Sequence, residues 1–207
     1  MKELYFIRHG ETIYNVEKRV QGKGVDSSLN ENGRLQARAF YNYYKNQGFE
    51  LVISSSLNRT KETVSDFIIQ NKLKHLEFDM LDEISWGVYE GKQASEDLYR
   101  EHRNVLEEWG KANYDARIEG GESAAEMNER LRSFLKVLPT FVENKILICT
   151  HGATLAFLMT ILQNQPLSEM PRYKHNNTGL CKFHFDGKNY SLQLQDDLTH
   201  LACFVKK

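Results

Sequence analysis

The sequence predicts an α/β fold: three layers, with a mostly parallel central sheet and helices on both faces. Three observations predict it. Short apolar runs of strand length alternate with segments of helical periodicity. Polar clusters rich in Arg, His and Ser follow directly on three of the apolar runs. No repeat, low-complexity tract or proline-rich linker interrupts the 207 residues, which hold three prolines, so residues 1–207 are expected to form one domain.

The elements follow in order. Leu4 to Ile7 reads as a short buried strand. Asn30 caps a helix from Glu31 to about Gln47, which Gly48 ends. Leu51 to Ser54 is a second strand, with a helix behind it through Val64, Phe67 and Ile68. Leu76 to Phe78 is a weaker third strand. Ser95 opens a helix with Leu98, Tyr99, Val105, Leu106 and Trp109 at helical spacing. Ser123-Ala124-Ala125-Glu126 has the capping-box pattern, followed by the stripe Met127, Leu131, Phe134, Leu135 and Leu138. Ile146 to Cys149 is a strand and Ala153 to Leu162 an apolar helix. Leu180 to Phe185 and Tyr190 to Leu194 pair as strands around the Asp186-Gly187 turn.

Composition narrows the function. The formal net charge of -1 gives no reason to expect nucleic acid or an anionic membrane as partner. Three cysteines, Cys149, Cys181 and Cys203, without a C-x-x-C suggest neither a disulfide framework nor a zinc site. The apolar run after Met1 is too short for a signal peptide, and no stretch approaches the roughly 20 residues that span a bilayer. The cytoplasm is the expected location, and the oligomeric state stays open.

The chemistry gathers behind the strands. Arg8-His9-Gly10-Glu11-Thr12 follows the first, Ser54-Ser55-Ser56-Leu57-Asn58-Arg59 the second, and Thr150-His151-Gly152 the strand at Ile146. Ligands of open α/β sheets bind outside the carboxyl ends of the strands, so two histidines and two arginines can meet at one rim, with Asp82-Glu83 beside them. Arginine offers a planar fork of donors that matches phosphate oxygens. A neutral imidazole, with an ordinary pKa of about 6.5, has a lone pair that can attack phosphorus and hold the phosphoryl group covalently. The leaving alkoxide needs a proton, and Glu83 is the candidate carboxyl donor if its pKa is raised. Gly10 and Gly152 permit close backbone approach to an anion.

Taken singly, each of these residues has an ordinary structural explanation; Arg59 reads as a helix-face charge and Glu83 as a solvated carboxylate. His75, His102, His175, His184 and His200 keep that reading, with His102 the first candidate for an exception because its helix lies nearest the expected substrate cover. Cys149 reads as strand core, and Tyr41, Tyr43 and Tyr44 as packing. The joint occurrence at strand ends is what points to a site.

These residues resemble the histidine phosphatase superfamily, the phosphoglycerate mutase-like proteins. Arg8-His9-Gly10-Glu11-Thr12 with Asn15 resembles its R-H-G-x-T-x-x-N signature, continued by Arg19, Gln21-Gly22, Asp26, Leu29, Gly33 and Gln36-Ala37. Ser54-Ser55-Ser56-Leu57-Asn58-Arg59-Thr60 with Thr63 resembles the second motif. Leu81-Asp82-Glu83 with Gly87 and Glu90-Gly91, then Gly120-Gly121-Glu122-Ser123, Thr150-His151-Gly152 and Asn177-Thr178, follow in family order. The resemblance implies the phosphoglycerate mutase-like fold and roles by position. His9 is the nucleophile; Arg8, Arg59 and His151 hold the phosphate; Glu83 protonates the leaving oxygen and then activates water. Asn15, Gln21, Gly22 and the Gly152 backbone line the pocket. It implies neither metal nor other cofactor. Two departures stand out: Asp26-Ser27-Ser28-Leu29-Asn30 replaces Asp-x-Pro-Leu-Thr, and Gly179 replaces the usual Ser after Asn177-Thr178.

The resemblance favours a phosphatase over a cofactor-dependent mutase, because Trp86-Gly87-Val88-Tyr89-Glu90-Gly91 looks like the phosphatase branch. A non-catalytic phosphate-binding module would lose His9 or Glu83, and a metallohydrolase would carry an H-E-x-x-H or similar spacing. The expected partner is a small-molecule phosphate ester. The segment between Ser85 and Glu119, with Tyr14, is expected to set specificity through Trp86, Tyr89, Tyr99, His102, Arg103 and Trp109. Sugar phosphates, nucleotide-like esters and phosphorylated acids all remain open.

Overall fold

In the computed structural model, which describes residues 1–202, six strands form one sheet. They are β1 (Lys2–Arg8), β2 (Leu51–Ser54), β3 (Lys74–Glu77), β4 (Lys145–Thr150), β5 (Leu180–Phe185) and β6 (Tyr190–Asp197), in the order β3-β2-β4-β1-β5-β6. The pairs from β3 to β1 are parallel, and β5 and β6 are antiparallel additions. The mostly parallel sheet expected from the alternation is therefore present, carrying an antiparallel hairpin at one edge.

Both faces of the sheet are covered because successive strand residues point to opposite sides. Leu4, Phe6, Leu51, Ile53, Ile146 and Ile148 pack on one side against α4 (Glu96–Gly110), α5 (Ala124–Val137) and α6 (Gly152–Leu162). Tyr5, Ile7, Val52, Leu147 and Cys149 pack on the other against Phe40 and Tyr44 of α2 (Glu31–Tyr44) and Val64 and Phe67 of α3 (Asn58–Ile69). Two further helices are short: α1 (Ile13–Val16) after the first motif and α7 (Thr199–Ala202) after β6. Nine of the eleven residues of α6 are buried, since it lies between the sheet and a second layer of chain.

The local signals are realised. Asn30, Ser95 and Ser123 each accept the N-cap hydrogen bond, and Ser123 with Glu126 closes a capping box. The Asp186 carboxylate accepts from Lys188 N and Asn189 N in the β5–β6 turn, where Gly187 takes φ +103°. Some boundaries differ. Helix α2 stops at Tyr44, where the next turn tightens into an i+3 bond from Gln47 N to Tyr44 O. That turn is tethered to the sheet, with Lys145 Nζ donating to Gln47 O and Gln47 Nε2 donating to the Tyr5 hydroxyl. Strand β6 continues past Leu194 to Asp197 through two register shifts against β5. Cys149 and Cys181 are free and buried, and Cys203 lies outside the described residues. No helix among the described residues is long and apolar enough to cross a membrane.

Candidate active site

Parallel register brings the motifs level. Arg8 pairs with Thr150, and Ser54 with Cys149, so β1, β2 and β4 end on one line. His9 N donates to Thr150 O at 2.9 Å and Ser55 N to Cys149 O at 3.2 Å, carrying that line one residue beyond the strands. The His9 and His151 rings lie 5.3 Å apart, centroid to centroid. The loop after His9 is pinned from three sides. Gly10 N donates to Thr63 Oγ1, Asn177 Nδ2 donates to His9 O, and the Gly10 backbone packs on that of Gly33.

His9 is 3% exposed. Its Nδ1 lies 2.7 Å from Gly10 O. A carbonyl oxygen only accepts, so Nδ1 carries the proton and Nε2 carries the lone pair. Burial pushes the ring's pKa well below its ordinary value, and Arg59 and then Arg8 push in the same direction. The ring is therefore neutral at neutral pH.

His151 and Arg59 form a buried pair. Arg59 Nε donates to His151 Nδ1 at 3.1 Å, which places the His151 proton on Nε2, 2.8 Å from Ser55 Oγ. Burial, then Arg59, keeps this ring neutral too. Both of its nitrogens are thus engaged within the protein. To donate to a phosphate the ring must release Ser55, whose hydroxyl retains Thr60 Oγ1 and Leu57 N as partners. Arg59 is fully buried and donates from Nη1 to Val25 O and from Nη2 to Gly22 O. A guanidinium has five donors, so two of its N–H groups are unspent.

Arg8 spends less. Its Nη1 donates to His175 O at 2.7 Å, and its buried Nε has no partner in the protein. Burial lowers its pKa from the ordinary value, opposed by Glu83 and Asp196. Glu83, 8% exposed, sits at the head of α6. Its Oε1 accepts from Ile84 N, Thr154 N and Thr154 Oγ1, and its Oε2 from Ala153 N alone. A side chain on Gly152 would begin 3.4 Å from Arg8 Nε and 3.8 Å from Glu83 Oε2, so this glycine is the gap through which guanidinium and carboxylate face one another. Asp82, adjacent, binds Ser56, and burial raises its pKa against those hydrogen bonds.

The lining residues also converge. Asn15 closes a capping box on Thr12, and its Oδ1 accepts from Thr12 N and from Asn177 Nδ2. Gln21 Oε1 accepts from the Thr12 and Ser27 hydroxyls, which leaves its amide N–H groups as the free donors. Gly22 gives its carbonyl to Arg59 and leaves no room for a side chain, since a Cβ there would fall 2.0 Å from Glu90 Oε1.

Specificity residues divide. Trp86 and His102 meet edge to face at 5.0 Å and border open clefts, one of which Tyr99 also lines. Tyr14 lies under the Arg19 guanidinium at 4.6 Å, Tyr89 binds Glu101, and Arg103 is exposed. Trp109 is a correction. It is 1% exposed, packs on Phe157 and donates from Nε1 to Ala116 O, so it belongs to the core. Helical spacing places a residue on a face without saying whether that face looks at a pocket or at another helix.

Four supporting groups had no assigned role in the sequence. Thr154 and the head of α6 cradle Glu83; Glu90 joins Gly24 N to Trp86 N; the His175 carbonyl orients Arg8. The fourth, Asp196 at φ +47°, accepts from Asn176 N and Nδ2 and fills the space that a side chain on residue 179 would need, its Oδ1 lying 1.9 Å from that Cβ position. This explains Gly179 where a Ser is usual. Glu90 and Asn177 were visible as motif letters; nothing in the sequence pointed to Asp196.

Two guanidinium groups with unspent donors beside a neutral, correctly protonated imidazole define the class: an α/β protein whose strand-end site handles phosphate esters. The family follows from the whole chain. The sequence profile of the histidine phosphatase superfamily (branch 1) matches residues 4–198, and the chain belongs to that superfamily. It is 29% identical over 203 residues to a Hydrogenobacter thermophilus protein named "Putative phosphoserine phosphatase 2", covering 97% of this chain and 98% of that one. It is also 29% identical over 207 residues to the Yersinia pestis "Probable phosphoglycerate mutase GpmB", covering 97% and 95%. The α-ribazole phosphatase structure from Shigella flexneri superposes with a TM-score of 0.83 at 24% identity, over 94% of this chain and 96% of that one, which establishes the shared fold.

Proposed function

We propose that this protein hydrolyses phosphate monoesters of small molecules through a phosphohistidine at His9. The observation that carries the reading is the Nδ1–H bond to the Gly10 carbonyl, which leaves the Nε2 lone pair next to two arginines. That lone pair attacks phosphorus as the P–O bond to the alcohol breaks, and a proton on Glu83 Oε2 passes to the leaving oxygen. In the second step Glu83 takes a proton from water, the water oxygen attacks phosphorus, and the P–N bond electrons return to Nε2. Arg8 and Arg59 hold the equatorial oxygens with their unspent donors, and the His151 Nε2–H joins them on leaving Ser55. Asn15, Gln21, Gly22 and the Gly152 backbone line the pocket. The histidine and arginine set needs no metal or other cofactor for these steps.

Protein denatured under alkaline conditions during turnover should carry base-stable phosphate on His9 that acid then releases, and His9→Ala should abolish turnover; label on another residue overturns the assignment. A mutase-type transfer is the second reading, favoured by the Yersinia relative of equal identity. Incubation with 3-phosphoglycerate and its bisphosphate primer separates the two, since a hydrolase releases inorganic phosphate and a mutase conserves it. We take residues 1–207 as one domain, in line with the profile's reach, and the cytoplasm as its compartment, because two buried free thiols suit a reducing environment.

A further inference from the structure

Two clefts leave the site on either side of the Trp86–His102 pair. One, of about 320 Å³, runs from Gln21 past Leu98 and Tyr99 to Lys18 and Arg19. The other, of about 420 Å³, runs from Gly152 and Ala153 past Leu106 and Met170 to Tyr173 and Lys174. Trp86 and His102 line both. Gln21 at one mouth and Gly152 at the other belong to the phosphate site, so the alcohol half of a bound ester has these two clefts available to it.

Their chemistry is one-sided. Among the described residues no Asp or Glu lines either cleft, while Lys18, Arg19 and Lys174 do. None of the ion pairs among the described residues involves Lys18 or Lys174. The rest of the lining is mainly aromatic and aliphatic. Some of the polar tips on it are spent elsewhere: the Tyr173 hydroxyl accepts from Gln163 and donates to Gln165, and Gln21 Oε1 is held by Thr12 and Ser27, which leaves the Gln21 amide N–H groups free. An ammonium that reached along either cleft, away from Glu83, would meet the unpaired positive charge of Lys18 or Lys174. An apolar ring would pack against Trp86, whose backbone is held by Glu90 and whose ring is braced by His102.

We propose that the clefts around Trp86 and His102 select a phosphomonoester whose alcohol carries an apolar ring and no cationic group. The inference rests on the hydrolase reading of the same site and adds the substrate class to it. It sets this chain apart from any enzyme whose substrate carries an amine next to the phosphate.

The test uses the full chain and four esters of alkyl alcohols, so that leaving-group chemistry stays close: ethyl phosphate, 2-phenylethyl phosphate, O-phosphoethanolamine and glucose 6-phosphate. The expected result is a kcat/KM for 2-phenylethyl phosphate about 10- to 100-fold above that for O-phosphoethanolamine, the range over which an apolar pocket discriminates. Trp86→Ala should lower kcat/KM for 2-phenylethyl phosphate about tenfold more than for ethyl phosphate, chiefly through KM. Lys174→Glu, at an exposed position that leaves the core intact, should narrow the gap to O-phosphoethanolamine. Hydrolysis of all four esters with kcat/KM values within about threefold overturns the specificity and leaves the hydrolase standing. Turnover of none of them, with no phosphohistidine on His9, overturns the hydrolase reading and this inference with it.

Discussion

Replacing Gly33 by Ala separates helix propensity from tertiary contact, because the two predict opposite signs. Gly33 is the third residue of α2, and by propensity alone the substitution stabilises the helix by about 1 kcal/mol. In the fold, a Cβ there would fall 2.0 Å from Glu11 O and 2.7 Å from Glu11 N. Helix and loop must therefore move apart by more than an ångström. That movement breaks the bonds from Asn30 N to Glu11 O and from Glu11 N to Gln36 Oε1, each contributing about 1 kcal/mol net. Overpacking adds about 1–3 kcal/mol. Set against the propensity gain, the expected loss is about 2–4 kcal/mol of a stability that is typically about 5–15 kcal/mol. The Glu11 backbone continues into Gly10 and His9, so kcat of the remaining folded protein should also fall, by up to about 100-fold for a 1 Å misplacement. Urea unfolding measures the first effect and steady-state kinetics the second. Gly110→Ala is the control: nothing lies within 4 Å of its Cβ position, and it should stabilise α4 by up to about 1 kcal/mol. A Gly33→Ala protein as stable as the parent would refute the close-contact reasoning.

Glu83→Gln should slow hydrolysis by about 10²–10⁴-fold, and an unchanged rate of phosphate release would remove Glu83 from proton transfer. Acid should destabilise the fold through its buried histidines. Burial pushes His175 and His200 down to about 4, so below their ordinary value of about 6.5 the unfolded chain binds protons that the folded chain refuses. Stability is then fully present above pH 6.5 and falls as pH drops toward 4, by about 2 kcal/mol per ring at pH 5; urea midpoints that do not change between pH 7.5 and 5 would contradict this. Gly179→Ser should destabilise by about 1–3 kcal/mol and should cost less in an Asp196→Ala background. An additive double-mutant cycle would show that Asp196 does not occupy that space.

Much of the architecture was legible because its determinants are local. The strands at Leu51–Ser54 and Leu180–Phe185 stand where the apolar runs put them, and the caps at Asn30, Ser95 and Ser123 act on groups three residues away. The ordered motifs were equally readable, since each Arg-, His- or Glu-bearing cluster follows its own strand. Other features depend on partners distant in the chain. The turn after Tyr44 is held by Tyr5 and Lys145, and Trp109 is buried because Phe157 and Ala116 meet it. Periodicity named the stripe on which Trp109 lies and was silent on what would cover it.

The residues of the site were therefore set by chain order, and their protonation and aim by assembly. The string Arg8-His9-Gly10 places an imidazole at a strand end, and the 2.7 Å contact with its own neighbour's carbonyl directs the lone pair to Nε2. The arginine beside it depends on β1–β4 register and on a carbonyl 167 residues away at His175. Asp196, behind Gly179, owes its place to a register slip in the last strand that no nearby residue announces. Hydrogen bonds within a turn act over a few residues, whereas the packing that buries a charge and shifts its proton equilibrium exists only once separate segments have closed on one another.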